Sequence, residues 1–123
     1  RNDIIDRRPG RNWGKGKATL IGDAAHATTP NLGQGGCQAL EDSVFLAHFL
    51  KTIDEKTEAL RTFENRRRER TAMVTKRSWN LGKVLQLENG ALRWIRDLAV
   101  RGTPRKWQIR DLLSIVQVEL PEL

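Results

Sequence analysis

The sequence predicts a mostly helical chain built around one or two short strands, with a single strand–loop–helix unit of the kind found in α/β proteins. Three observations carry this. The short, apolar and partly β-branched run Ala18-Thr19-Leu20-Ile21 ends in Gly22-Asp23, as a buried strand does. A loop bearing Pro30, Gly33, Gly35 and Gly36 follows it. Beyond that loop, apolar residues recur at helical spacing through four segments,.

Taken in order, residues 1–17 read as a lead-in segment with a brief Ile4-Ile5 strand, a turn at Arg8-Pro9-Gly10, and a basic, glycine-bearing loop to Lys17. A strand covers 18–22 and the loop runs to 34. A first helix is expected from about Gly35 to Thr52. There Leu40, Val44 and Ala47 share one face, and the pairs Phe45–Phe49 and Leu46–Leu50 widen it. An apolar surface that wide implies burial on more than one side. Ile53-Asp54-Glu55-Lys56 is a polar connection. A second helix should span roughly Thr57 to Trp79, with Ala59, Leu60, Phe63 and Val74 as its contacts, and break at Asn80 and Gly82,. The third runs from about Gly90 to Val100, led by Leu92, Ile95 and Leu98-Ala99, and Gly102 and Pro104 close it. The fourth, from about Arg105 to Val116, presents Trp107, Leu112, Leu113 and Val116.

The chemistry concentrates in residues 20–42. Asp23 would stand at the C-terminal edge of a strand, where open α/β sheets bind ligands. An ionised carboxylate only accepts hydrogen bonds, so hydroxyls or N–H groups are its natural partners. Pro30 fixes one backbone angle and pushes Thr29 towards an extended conformation. Gly33, Gly35 and Gly36 permit positive φ and let a ligand approach the main chain. A helix opening near Gly35–Gly36 leaves its first N–H groups unpaired and carries partial positive charge, which attracts anions. The order suits a ligand with hydroxyls on one side and negative charge on the other.

Gly22-Asp23-Ala24-Ala25-His26, Pro30, Gly33-Gln34-Gly35-Gly36-Cys37 and Glu41-Asp42 resemble the second flavin-binding motif of the class A flavoprotein monooxygenases, the hydroxylases and epoxidases with the p-hydroxybenzoate hydroxylase fold. The Gly-Gln-Gly-Gly-Cys form is similar to the subgroup of urate hydroxylase, zeaxanthin epoxidase and salicylate-hydroxylase-like enzymes; many other members carry Asn where this chain has Cys37. Asp6-Arg7-Arg8-Pro9, Trp13 and Phe63-Glu64-x-x-Arg67-x-x-Arg70 extend the likeness. The resemblance implies an α/β parent fold that binds FAD and NAD(P). Residues 1–17 would come from its substrate domain, 18–52 would be the strand–loop–helix of its FAD-binding domain, and 53–123 its C-terminal helices. Asp23 would bind a ribityl hydroxyl of FAD, and the peptide groups of Gly33, Gln34, Gly35, Gly36 and Cys37 would line the pyrimidine edge of the isoalloxazine. Pro30 would lie beside the flavin carbon that carries the reactive peroxide. The implied reaction uses NAD(P)H as reductant and O₂ to oxygenate an aromatic, heteroaromatic or alkene substrate through a flavin C4a-hydroperoxide, and no residue in this chain is an acid–base catalyst.

The family's first motif, the Gly-x-Gly-x-x-Gly turn that holds the pyrophosphate, is absent from the sequence, as are its middle motif and the substrate pocket. The expectation is therefore a C-terminal portion that needs the missing N-terminal part to hold FAD tightly and is inactive alone. A non-enzymatic helical remnant or partner module is the alternative.

With 123 residues, 38% hydrophobic and 30% charged, the composition is that of an ordinary soluble protein. The longest apolar stretch, Val44 to Leu50, is interrupted by His48 and is far too short for a membrane span. A single cysteine excludes an internal disulfide and points to a reducing cytoplasm,. The net charge of +7 raises nucleic-acid binding as a further class,. Arg66-Arg67-Arg68, Arg70, Lys76 and Arg77 do lie on the second helix, but Glu64 and Glu69 alternate with them, and Glu64 to Arg68 is the favourable i,i+4 direction,. A salt-bridged face, solvated or between helices, is expected there and nucleic acid is not. Two histidines and one cysteine at these spacings make no metal site,. His26 is expected to hydrogen-bond the loop, His48 to be structural, Cys37 to be a small packing residue near the flavin edge, and the tryptophans at 13, 79, 94 and 107 to anchor the core.

Overall fold

The computed structural model describes residue 10 and residues 12–122; the expected Ile4-Ile5 strand and the start of the Arg8-Pro9-Gly10 turn lie outside them. Strands β1 (Gly14–Lys15) and β2 (Ala18–Thr19) form a two-stranded antiparallel hairpin, with Gly14 opposite Thr19 and Lys15 opposite Ala18. Its two-residue turn opens on Gly16 at φ 57, the positive angle a tight hairpin turn needs. The hairpin docks on the start of the long helix, where Thr19 Oγ1 donates to Glu64 Oε1 at 2.6 Å and Arg61 Nη2 donates to the Ala18 carbonyl at 2.9 Å. The strand is shorter than the sequence suggests. Leu20 and Ile21 are both exposed, and Gly22, at φ 55, turns the chain into helix α1 (Asp23–His26).

A 3₁₀ turn at Pro30–Leu32 leads to α2 (Gly35–Thr52), whose limits match the expectation. Helix α3 (Lys56–Leu85) begins at Glu55, whose carboxylate accepts the Glu58 N–H. At 30 residues it is about 45 Å long. It runs straight through Asn80 and Gly82, where a break was expected. Gly82 is there for room: a Cβ on it would lie 2.4 Å from Asn31 Nδ2. Asn89 caps α4 (Gly90–Gly102), accepting from the N–H groups of Ala91 and Leu92. Helix α5 (Arg105–Val116) follows Pro104.

The apolar core is small: Trp13, Ala25, Phe45 and Phe63 are buried together, with Leu46, Phe49 and Val118 packed against them. Ala59, Leu60, Phe63 and Val74 are buried as expected, but Leu40 is 71% exposed. The inward face of α2 is instead Gln38, Glu41, Asp42 and Phe45. Of the four tryptophans only Trp13 is buried; Trp79, Trp94 and Trp107 are exposed. So are Leu92, Ile95 and Leu98 on α4 and Leu112, Leu113 and Val116 on α5, where Ile115 makes the buried contact. Sequence periodicity finds an apolar stripe but not what it faces. No helix among the described residues is long and apolar enough to cross a membrane.

Candidate functional site

The predicted site residues meet on one solvent-facing edge. Asp23 opens α1 and is exposed. Among the described residues nothing pairs with its carboxylate. Gly35 starts α2 beside it: a Cβ on Gly35 would sit 3.9 Å from Asp23 Oδ1 and 3.5 Å from Thr28 Cγ2. No side chain caps α2, so helix geometry leaves the amides of Gly35, Gly36 and Cys37 without intrahelical acceptors. Its N-cap is Gln34, preceded by Gly33 at φ 64, whose N–H closes the 3₁₀ turn onto the Pro30 carbonyl at 2.9 Å. Pro30, Gly33, Gly36 and Cys37 are exposed, and Gln34 and Gly35 half-buried. A Cβ on Gly33 or Gly36 would meet nothing within 4 Å. A free carboxylate, a row of free amides and open space above them thus share one edge.

Behind this edge lies a charged network that the sequence reading did not assemble. Asp42, on α2, is fully buried. Its Oδ2 accepts the Gly22 N–H at 2.9 Å and lies 2.6 Å from His26 Nε2, while its Oδ1 accepts Arg67 Nε at 2.7 Å. Glu41 accepts from Arg67 Nη1 at 2.6 Å and from Arg70 Nε at 2.7 Å. Arg67 Nη2 also donates to Gln38 Oε1 at 2.9 Å. Burial pushes the Asp42 carboxyl up, but hydrogen bonds from His26, Arg67 and Gly22 outweigh it and hold the group below its ordinary range,. Glu41 is likewise raised by burial and brought below its ordinary range by Arg70 and Arg67. With Asp42 ionised it can only accept, so His26 Nε2 carries the proton between them.

His26 therefore bonds α2 rather than its own loop, and packs 5.3 Å from the Trp13 ring. Of the arginine run, Arg67 and Arg70 turn inward to α2, and Glu64 pairs with Arg61 at 3.0 Å. His48 Nδ1 lies 2.8 Å from the Glu122 carbonyl oxygen, in a structural contact. Cys37 is exposed on the described residues. The signal for the network was the pairing of Glu41-Asp42 with the Arg67-x-x-Arg70 spacing. Hydrophobic patterning is blind to it because its members are charged.

The edge offers polar groups complementary to a ligand that carries both hydroxyls and negative charge. Asp23 offers acceptors to hydroxyls, the α2 amides offer donors to an anion, and Thr28 Oγ1 is a buried hydroxyl with no partner among the described residues.

Over residues 5–78 the chain matches the family described as FAD binding domain, and it belongs to that family. It is 46% identical over 101 residues to the aurachin C monooxygenase/isomerase of Stigmatella aurantiaca, a match covering 82% of this chain and 26% of that protein. To the chloroplastic zeaxanthin epoxidase of an Oncidium hybrid cultivar it is 48% identical over 85 residues, covering 60% of this chain and 13% of the epoxidase. The crystal structure of Klebsiella pneumoniae HpxO complexed with FAD and uric acid superposes with a TM-score of 0.82 at 27% identity, covering 89% of this chain and 28% of that one. The chain thus spans about a quarter of the length of the first of these relatives. The expected kinship with flavin monooxygenases, and the expected helical portion of an FAD-binding fold, are both met.

Proposed function

We propose that this chain is the C-terminal FAD-binding portion of an NAD(P)H-dependent flavoprotein monooxygenase that hydroxylates or epoxidises an aromatic, heteroaromatic or alkene substrate. The observation that carries this is the exposed Asp23 carboxylate, unpaired among the described residues, beside the uncapped start of α2, both on a buried, ionically braced frame. The chemistry FAD supplies is acceptance of hydride from NAD(P)H and activation of O₂ for transfer of one oxygen atom. This chain's residues hold and tune it. Asp23 accepts from a ribityl hydroxyl, the Gly33–Cys37 peptide groups face the pyrimidine edge, and the α2 terminus favours charge that develops there on reduction. Pro30 bounds the reacting side. Residues 18–52 form the flavin-facing unit, 53–123 are the C-terminal helices, of which α3 braces that unit, and 1–17 lead in from the substrate domain. Cofactor pyrophosphate, NAD(P)H and substrate contacts then come from preceding sequence, in a cytoplasmic protein.

The names of the relatives, a monooxygenase/isomerase and an epoxidase, support this class of reaction. The test is an Asp23→Ala variant of the complete polypeptide. A lost charge-assisted hydrogen bond of about 1.5–3 kcal/mol should weaken FAD binding roughly ten- to a hundredfold, read by quenching of flavin fluorescence. Unchanged FAD affinity, or no FAD-dependent oxidation of NAD(P)H by the unmodified protein, overturns the reading.

A further inference from the structure

We propose that Asp42 and Ser78 are positioning residues for the flavin-facing loop, each fixing one exposed site residue by anchoring the residues that flank it. This rests on the flavin reading of Asp23 and Pro30 given above.

Asp23 is held from both sides by one oxygen. Gly22, before it, donates its N–H to Asp42 Oδ2, and His26, at the end of the same helical turn, bonds that oxygen through Nε2. The turn is closed by the Ala25 and His26 N–H groups on the Gly22 carbonyl, each at 2.9 Å. Arg67 holds the other oxygen of Asp42. The carboxylate therefore cannot rotate without breaking a bond to α3.

Pro30 is held in the same way by a hydroxyl. Ser78 Oγ donates to the carbonyl of Thr29 at 2.6 Å and lies 2.9 Å from Thr29 Oγ1. Asn31 Nδ2 donates to Thr29 Oγ1 and to the Ser78 carbonyl, both at 3.0 Å. One assignment satisfies all of these. A Ser78 hydroxyl spent on the Thr29 carbonyl must accept from Thr29 Oγ1, which in turn accepts from Asn31. Gly82 leaves the space that Asn31 fills.

Asp42 and Ser78 are fully buried, whereas Asp23 and Pro30 are exposed. The anchors cannot touch a ligand and can act on one only through the residues they hold. A buried, bonded frame under two solvent-facing residues is what a preorganised site requires.

The test is a pair of double-mutant cycles on the complete polypeptide with FAD. Asp42→Asn should raise the Kd for FAD about tenfold when Asp23 is present, and by less than about twofold in an Asp23→Ala background, since an effect exerted through Asp23 vanishes with it. Ser78→Ala should lower kcat roughly tenfold while leaving FAD affinity within about twofold, and its effect should likewise vanish in a Pro30→Ala background. Equal losses in both backgrounds mean a merely structural role and overturn the proposal, as does no loss in the single variants. Should Asp42→Asn fail to fold, the uncharged Ser78 cycle decides alone. An Asp23→Ala variant with unchanged FAD affinity overturns the flavin reading itself, whatever the anchors do.

Discussion

Gly82 shows how a single residue can mislead by its type and be explained by its neighbours. In a helix interior glycine costs about 1 kcal/mol against alanine, and here it sits within α3 without ending it. Adding a methyl would drive it into Asn31 Nδ2, which is already committed to Thr29 and the Ser78 carbonyl. Gly82→Ala should therefore destabilise the fold by about 1–3 kcal/mol through overpacking, despite its better helix propensity, as measured by chemical denaturation. A gain in stability would show that Asn31 moves aside freely. Gly22 is constrained differently, by its φ of 55 and by Ala39 Cβ, 3.2 Å from where its own Cβ would be.

Helix α3 is the element that organises the rest. Its buried residues Ala59, Leu60, Phe63, Glu64, Arg67, Thr71, Val74, Thr75, Ser78 and Gly82 recur every three or four positions, as one face of a helix must. Half of that stripe is polar, so it registers only weakly as an amphipathic pattern. Gln38, Glu41 and Asp42 on α2 lie at the spacing that meets Arg67 and Arg70 on α3, which fixes the register of the two helices. Removing one partner of a buried ion pair strands the others without compensation. Arg67→Ala should cost about 3–5 kcal/mol in denaturant unfolding, comparable to the roughly 3–5 kcal/mol expected for Phe63→Ala in the apolar core. A loss below about 1 kcal/mol for Arg67→Ala, the level of an exposed pair, would show that water reaches the cluster.

At the scale of the whole molecule the network makes stability depend on pH. Glu41 and Asp42 are both held below their ordinary values of 4.5 and 3.8. In acid the unfolded chain therefore binds more protons than the folded one, and stability rises with pH. Their contribution is complete above about pH 5 and is lost as pH falls past the ordinary values through the lowered ones. Tm should drop on acidification from about pH 5 to pH 3, and Glu41→Gln should flatten that slope; an unaltered slope would assign the acid sensitivity to other groups. The same molecule should hold FAD weakly by itself. Asp23 and the α2 terminus together would supply about 3–5 kcal/mol, which corresponds to a Kd of roughly 0.2–6 mM. A flavin titration of the chain alone showing micromolar affinity would overturn that.

Local chemistry made the motif, the limits of α2 and α5, and the inward residues Ala59, Leu60, Phe63 and Val74 legible in the sequence. Glycine, proline and apolar spacing act over a few residues and carry their meaning with them. That Asp23 and the start of α2 at Gly35 come close was legible in their order along the chain, although Asp23 opens α1 instead of following a strand. Which charges are buried was decided only by tertiary structure. Arg67 and Asp42 look like surface residues until α2 and α3 face each other, because an ionised group enters a core only when a partner from elsewhere in the chain compensates its lost water.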